Sequence, residues 1–232
     1  MGEAGVDDVV IMNFTPELAA RSAAWFVEEV LIGALHMNRL VIGHDFRFGK
    51  SREGDASSLQ HMGEEMGFGV DIVPPVRFMG HPVSSTRVRT ALARGEVDIA
   101  ARMLGRPYSL GGRVVRGEGR GRALKYPTAN LEITDSRKMV PADGVYAVTA
   151  AYAGVKAAGA LYVGAKPTYG GSTRGIEVFI IGGDEPPGYG DALDLEFLKR
   201  IRGDRTFASD QALSAQIGRD VDRIRQIVGI SP

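Results

Sequence analysis

Apolar residues follow two different rhythms along the chain. In the first hundred residues, short apolar runs alternate with stretches of helical spacing. Val9-Val10-Ile11-Met12 reads as a buried strand, Leu40-Val41-Ile42-Gly43 as a second and Val70-Asp71-Ile72-Val73 as a third. Thr15-Pro16-Glu17 opens a helix that the pattern carries to about Leu31, with Thr15 as cap, Pro16 in the first turn and Glu17 at the positive end. Leu59 to Met66 predicts another helix, and Arg87 to Arg94 and Glu96 to Leu104 two more, parted by Gly95. Trp25, Phe26, Met62 and Met66 fall at helical spacing and read as core. This order is that of a parallel sheet covered by helices.

Gly105-Arg106-Pro107 marks a boundary, giving domains over 1–105 and 106–232. Beyond it strand signals dominate: Gly112 to Val115, Gly144 to Tyr152, Ala157 to Val163, Gly175 to Ile181 and Leu193 to Phe197. Turns rich in Gly, Pro and Asp separate them, as in a small antiparallel barrel. Leu213, Ile217, Val221, Ile224 and Val228 then recur at helical spacing, and Gly229 supplies a stop. That helix is expected to lay its stripe on the outside of the barrel.

Composition narrows the function classes. The 232 residues carry 28 basic and 28 acidic side chains, a balance that argues against broad nucleic-acid binding. There is no cysteine, so disulfide and thiolate chemistry are excluded. The four histidines, at 36, 44, 61 and 81, lack zinc-site spacing. No apolar run approaches the length of a membrane span, and the expectation is a soluble cytoplasmic protein.

Candidate chemistry concentrates at Gly117-Glu118-Gly119-Arg120-Gly121-Arg122, just ahead of Pro127-Thr128-Ala129-Asn130. Glycines bring backbone N–H groups close to an anion, and arginines add a donor fork suited to phosphate. Gly117, Gly119, Gly121 and Arg122 are therefore candidate phosphate contacts; the other reading is a solvated basic hairpin. Thr128 and Asn130 share a face of an extended backbone, and their oxygens are hard ligands of the kind Mg²⁺ accepts. A turn bonding only to its own backbone is the equal alternative. Glu177, a single acid among apolar neighbours, is either a general base projecting into a site or a charge on the outer strand face. Arg202 divides evenly between ligand contact and surface charge. Ser84-Ser85-Thr86-Arg87 offers hydroxyl and N–H donors at a helix start, where phosphate binding competes with simple capping.

The ordered series resembles the bacterial bifunctional riboflavin kinase/FMN adenylyltransferase (FAD synthetase) family over nearly the whole chain. The pieces are Gly112 to Gly117, Gly121-Arg122, Pro127 to Asn130, Asp143 to Tyr146, Gly164 to Thr168, Ile176-Glu177-Val178, Gly188-Tyr189-Gly190, Phe197 through Arg202 and Leu213 to Asp220. The resemblance implies a Rossmann-like α/β nucleotidyltransferase remnant, then a six-stranded antiparallel Greek-key barrel with a C-terminal helix. It implies Mg²⁺ on ATP held by Thr128 and Asn130, a glycine-rich cover over the phosphates, and Glu177 as the base acting on the ribityl 5′-hydroxyl of riboflavin. Tyr189 and Arg202 would shape the flavin side, and Ser84 to Arg87 would belong to the remnant nucleotide site.

Departures from the family pattern are Lys125 in place of a glycine, Tyr162 of an asparagine and Phe179 of a histidine, with 182–187 replacing an Asp-Phe region. The chain also starts after the family's Gly-x-Phe-Asp-Gly-x-His-x-Gly-His element, so it is expected to form FMN and little or no FAD. The alternatives are full bifunctional activity in a longer parent, or a non-catalytic flavin- or nucleotide-binding regulatory module.

Overall fold

The computed structural model describes residues 5–117, 121, 124–168, 171–182 and 186–230; of 166–168 and 171–173 it describes the backbone alone. Contacts divide the chain at Arg77/Phe78 into two compact units.

In the first unit Thr15 caps α1 (Pro16–Ala19), its hydroxyl accepting from the Leu18 amide at 3.3 Å. The helix does not run on unbroken. Ser22 is a second cap, accepting from Trp25 N at 3.1 Å, and it restarts the chain as α2 (Ala23–Trp25). α2 passes into π-helical turns over Phe26–Ala34. Strand β1 (Arg39–Gly43) pairs in parallel with β2 (Gly69–Val73), and α3 (Ala56–Met66) connects them. Asp55 and Ser58 close a capping box on α3, and Gly67 ends it in the left-handed conformation. Val27, Ile42, Leu59 and Phe68 form the core of this unit, with Met62 and Met66 packed against them.

The run Val9–Met12 is not a buried strand. It is irregular, and Ile11 is 88% exposed. An apolar run becomes a strand only where a ladder partner takes up its backbone groups, and β1 and β2 pair with each other.

A two-residue hairpin, β3 (Arg77–Phe78) with β4 (His81–Pro82), precedes α4 (Ser85–Ala93) and α5 (Val97–Leu104). The six strands that follow are β5 (Tyr108–Val115), β6 (Thr128–Ile133), β7 (Gly144–Tyr152), β8 (Val155–Thr168), β9 (Gly171–Ile181) and β10 (Ala192–Gly203). They close into an antiparallel barrel in the order β10-β5-β6-β9-β8-β7. One set of alternating residues fills its interior, including Leu110, Val148, Leu161, Val178 and Leu195, with the Tyr146 and Phe197 rings edge to face at 5.2 Å. Ala91, Leu92, Val97, Ala100 and Met103 of α4 and α5 join the same core.

The opposite set, Val145, Ala147, Ala158, Ile181 and Ile201, faces outward and would be left in water. The C-terminal helix α6 (Asp210–Val228) covers it with Ile217, Val221, Ile224 and Val228. Ser209 caps that helix and Gly229, with φ of 72°, ends it. Burying this outer stripe is what creates a roofed space on the barrel wall.

Candidate active site

Strand alternation decides which side chains enter that space. Ile176, Val178 and Ile180 point into the barrel, so Glu177 and Phe179 point out. Leu131 points in and Asn130 out. In register, Asn130 lies opposite Glu177 and Thr128 opposite Phe179. The Thr128 hydroxyl donates to the Glu177 carboxylate, Oγ1 to Oε2, at 3.0 Å. On the other flank Glu177 lies opposite Tyr162, and Tyr162 opposite Val145. Two bulges in β10 advance its register so that Arg202, and not Arg200, stands opposite Val145.

These residues line a cavity of about 300 Å³ between the barrel wall and α6. Gly121, Thr128, Asn130 and Glu177 line it together with the apolar Val145, Phe207, Leu213 and Ile217 and the charged Arg202 and Asp220. Arg202 Nε donates to Asp220 Oδ2 at 2.8 Å, with the two side chains only 12% and 6% exposed. Gln216 donates to the other Asp220 oxygen at 2.8 Å, so the buried carboxylate is bonded on both sides. The Arg202 guanidinium also lies 5.6 Å from the Phe207 ring centroid. The Tyr162 hydroxyl donates to Asp204 Oδ1 at 3.1 Å. Burial first, then the negative charge of Asp204, pushes this phenol up to about 12.

The glycines act by having no side chain. A Cβ at Gly117 would strike the Asn130 amide, and one at Gly121 would strike the Tyr126 carbonyl and stand 3.0 Å from Thr128 Oγ1. Gly121 lines the cavity; Gly117 and Arg116 instead line a second cavity of about 570 Å³, which shares Asn130 as a wall. Gly119 and Arg122 lie outside the described residues. Lys125 adopts φ of 65°, the left-handed conformation that a glycine takes without strain. Its neighbour Tyr126 packs edge-on against Phe179 at 5.3 Å, and both rings line the cavity.

The remaining candidates stand apart from this cluster. Tyr189 is 66% exposed, at the tip of a turn that Gly190 fastens to Val114, and the Arg116 guanidinium lies 5.6 Å from its ring. Ser84 caps α4 through Arg87 N, and the Arg87 guanidinium donates to the carbonyls of His81, Pro82 and Phe78. Ser84, Ser85, Thr86 and Arg87 do not line the cavity. Sequence reasoning gave no role to Tyr126, Asp204 or Phe207: Tyr126 stands just ahead of Pro127–Asn130, and Asp204 and Phe207 fall between the pieces ending at Arg202 and beginning at Leu213.

Comparison with known proteins agrees with this geometry. Residues 104–228 match the riboflavin kinase family and residues 1–87 the FAD synthetase family. The barrel and its roofed cavity are therefore a riboflavin-kinase-like domain. A bifunctional riboflavin kinase/FMN adenylyltransferase of Pseudomonas fluorescens is 38% identical, over 99% of this chain and 73% of that protein. The protein of the same description from Escherichia coli K12 is 37% identical, over 100% of this chain and 73% of its own length. A crystal structure described as a macrolide-efflux protein from Streptococcus pneumoniae superposes with a TM-score of 0.87 at 33% identity, over 97% of this chain and 71% of that one. The chain belongs to the bacterial bifunctional riboflavin kinase/FMN adenylyltransferase family. No helix among the described residues is long and apolar enough to cross a membrane.

Proposed function

We propose that this chain is a riboflavin kinase, transferring the γ-phosphoryl group of ATP to the ribityl 5′-hydroxyl of riboflavin. The observation that carries the reading is the Thr128–Glu177 hydrogen bond beside Asn130, inside a cavity lined by both polar and apolar side chains. Glu177 accepts the proton of the 5′-hydroxyl as its oxygen forms a bond to the γ-phosphorus and the bond to the β-bridging oxygen breaks. FMN and ADP leave. Positioning supplies most of the rate gain, because the transfer needs no covalent intermediate with the protein.

Mg²⁺ fits the donor set. No group of three or more His, Cys, Asp or Glu side chains forms a cage among the described residues. A magnesium ion carried by the triphosphate requires only a few hard oxygens from the protein, and Thr128 and Asn130 supply them on one strand face. Bound there, the ion would offset the negative charge of the phosphates. Gly117, Gly119, Gly121 and Arg122 form the phosphate cover in this reading. Arg202 and the Phe207, Leu213 and Ile217 side chains take the flat, largely apolar flavin ring.

Incubation of the protein with riboflavin, ATP and Mg²⁺ tests the proposal. FMN should accumulate with one ADP released per flavin. Flavin binding without turnover would identify a regulatory module, and FAD formation would add the second activity of the family.

A further inference from the structure

One row of paired residues crosses the wall of the cavity: Asn130, Glu177, Tyr162, Val145 and Arg202 on β6, β9, β8, β7 and β10. In the kinase reading Asn130 and Glu177 serve the phosphate side and Arg202 the flavin side. Tyr162 stands between them on the same outer face. A Cβ on Gly164 would collide with the Tyr162 ring and hydroxyl, so the phenol lies along the strand over bare backbone. That course carries its hydroxyl to Asp204, just past the end of β10. Asp204 Oδ1 also accepts from the Arg205 amide at 2.8 Å, which turns the chain toward Phe207.

Asp204, Arg205 and Thr206 are exposed, and Asp204 is tied to the barrel wall by this phenol. The segment ends at Phe207, which lines the cavity and packs on the Arg202 guanidinium. We propose that Tyr162 is a positioning residue for the flavin side of the site: by holding Asp204 it fixes Phe207 against the Arg202 guanidinium, as part of the wall against which the flavin ring rests. This inference rests on the riboflavin kinase reading above. Raised by burial and by Asp204 to about 12, the phenol keeps its proton near neutrality, so the tie does not switch with pH there.

Tyr162→Phe keeps the ring and removes the hydroxyl, Asp204→Ala removes the acceptor, and Asp204→Asn keeps an acceptor oxygen. In steady-state assays Tyr162→Phe and Asp204→Ala should each raise the KM for riboflavin about five- to tenfold, with kcat and the KM for ATP held within about twofold. The double variant should be no worse than Asp204→Ala alone, and Asp204→Asn should stay near the unsubstituted protein. An unchanged riboflavin KM in Tyr162→Phe, additive losses in the double variant, or a matching rise in the KM for ATP would overturn the assignment. Should the unsubstituted protein form no FMN, the kinase reading itself falls. Quenching of riboflavin fluorescence by the same four variants would still report whether Tyr162 and Asp204 act as one unit. Thermal midpoints check that each variant is folded; if Tyr162→Phe is not, the Asp204→Ala and Asp204→Asn pair decides the question.

Discussion

The Thr128 hydroxyl donates to the Glu177 carboxylate at 3.0 Å, joining positions 49 residues apart across neighbouring barrel strands. The contact orients the acid toward the space it shares with Asn130. A carboxylate held in this way is set up to accept a proton from a bound alcohol, and an amide of the same shape is not. Glu177→Gln should lower kcat for FMN formation by about 10²- to 10⁴-fold and leave the dissociation constant for ATP nearly unchanged. Turnover within a factor of about two of the unsubstituted protein would remove Glu177 from the role of base.

Thr128 and Asn130 contribute oxygens from alternate positions of β6, with the Asn130 amide pressed against Gly117. Replacing either with Ala should weaken Mg²⁺-dependent ATP binding about tenfold, the loss expected for one ligand to a charged group. Titration calorimetry at several Mg²⁺ concentrations gives the answer: the defect should shrink as Mg²⁺ rises. A defect indifferent to Mg²⁺ would assign these side chains to the barrel wall alone.

Much of this site could be read before the fold was known, and the boundary of what could be read is physical. Alternation in Ile176-Glu177-Val178-Phe179-Ile180 puts Glu177 on the outer face. Outer face and site looked like opposite readings, because nothing local says that α6, more than 30 residues later, roofs that face. The pairing of Tyr162 with Asp204 spans 42 residues and has no periodic signature. The two bulges in β10 that bring Arg202 opposite Val145 are equally silent. Helix caps were legible at Thr15, where Pro16 follows, and less so at Ser22, which interrupts an otherwise continuous apolar pattern. Val9–Met12 failed for the opposite reason: its composition suits a strand, but pairing is a property of two segments and not of one.

Lys125 holds φ of 65° between the glycine-rich segment and Tyr126. A side chain in this region crowds the following carbonyl, and glycine relieves that strain at the cost of a looser unfolded chain. Lys125→Gly should therefore stabilise the protein by a net of about 0.5–1 kcal/mol. Urea unfolding is the direct measure. A lower midpoint would mean that the lysine side chain makes a stabilising contact worth more than the backbone strain.

Asp220 is the buried partner of Arg202 and is held on its other oxygen by Gln216. Asp220→Ala leaves a guanidinium that is only 12% exposed facing an apolar roof. The variant should lose about 3–5 kcal/mol of stability, with the urea midpoint falling and the slope unchanged. It should also raise the KM for riboflavin, because Arg202 loses the contact that orients it. A loss below about 1 kcal/mol would indicate that water or another acceptor reaches Arg202 in place of the carboxylate.

Tyr162 gives the chain a pH dependence on the alkaline side. Burial and the Asp204 charge raise its ionisation from the ordinary 10.0 to about 12, so the folded state holds the phenolic proton more tightly than the unfolded chain does. The stability that follows is fully present below the unfolded value and is lost as pH climbs toward the folded one, here between 10.0 and about 12. Tyr108 and Tyr146 are also raised by burial, so the unsubstituted protein shows the three effects together. The difference between it and Tyr162→Phe isolates one phenol. Urea midpoints followed upward from neutral pH should fall more steeply for the unsubstituted protein once the pH passes 10.0, and the phenolate absorbance of Tyr162→Phe should lack one late-titrating group. Parallel midpoint curves for the two proteins would mean that Tyr162 is solvated, and that its hydrogen bond to Asp204 does not persist in solution.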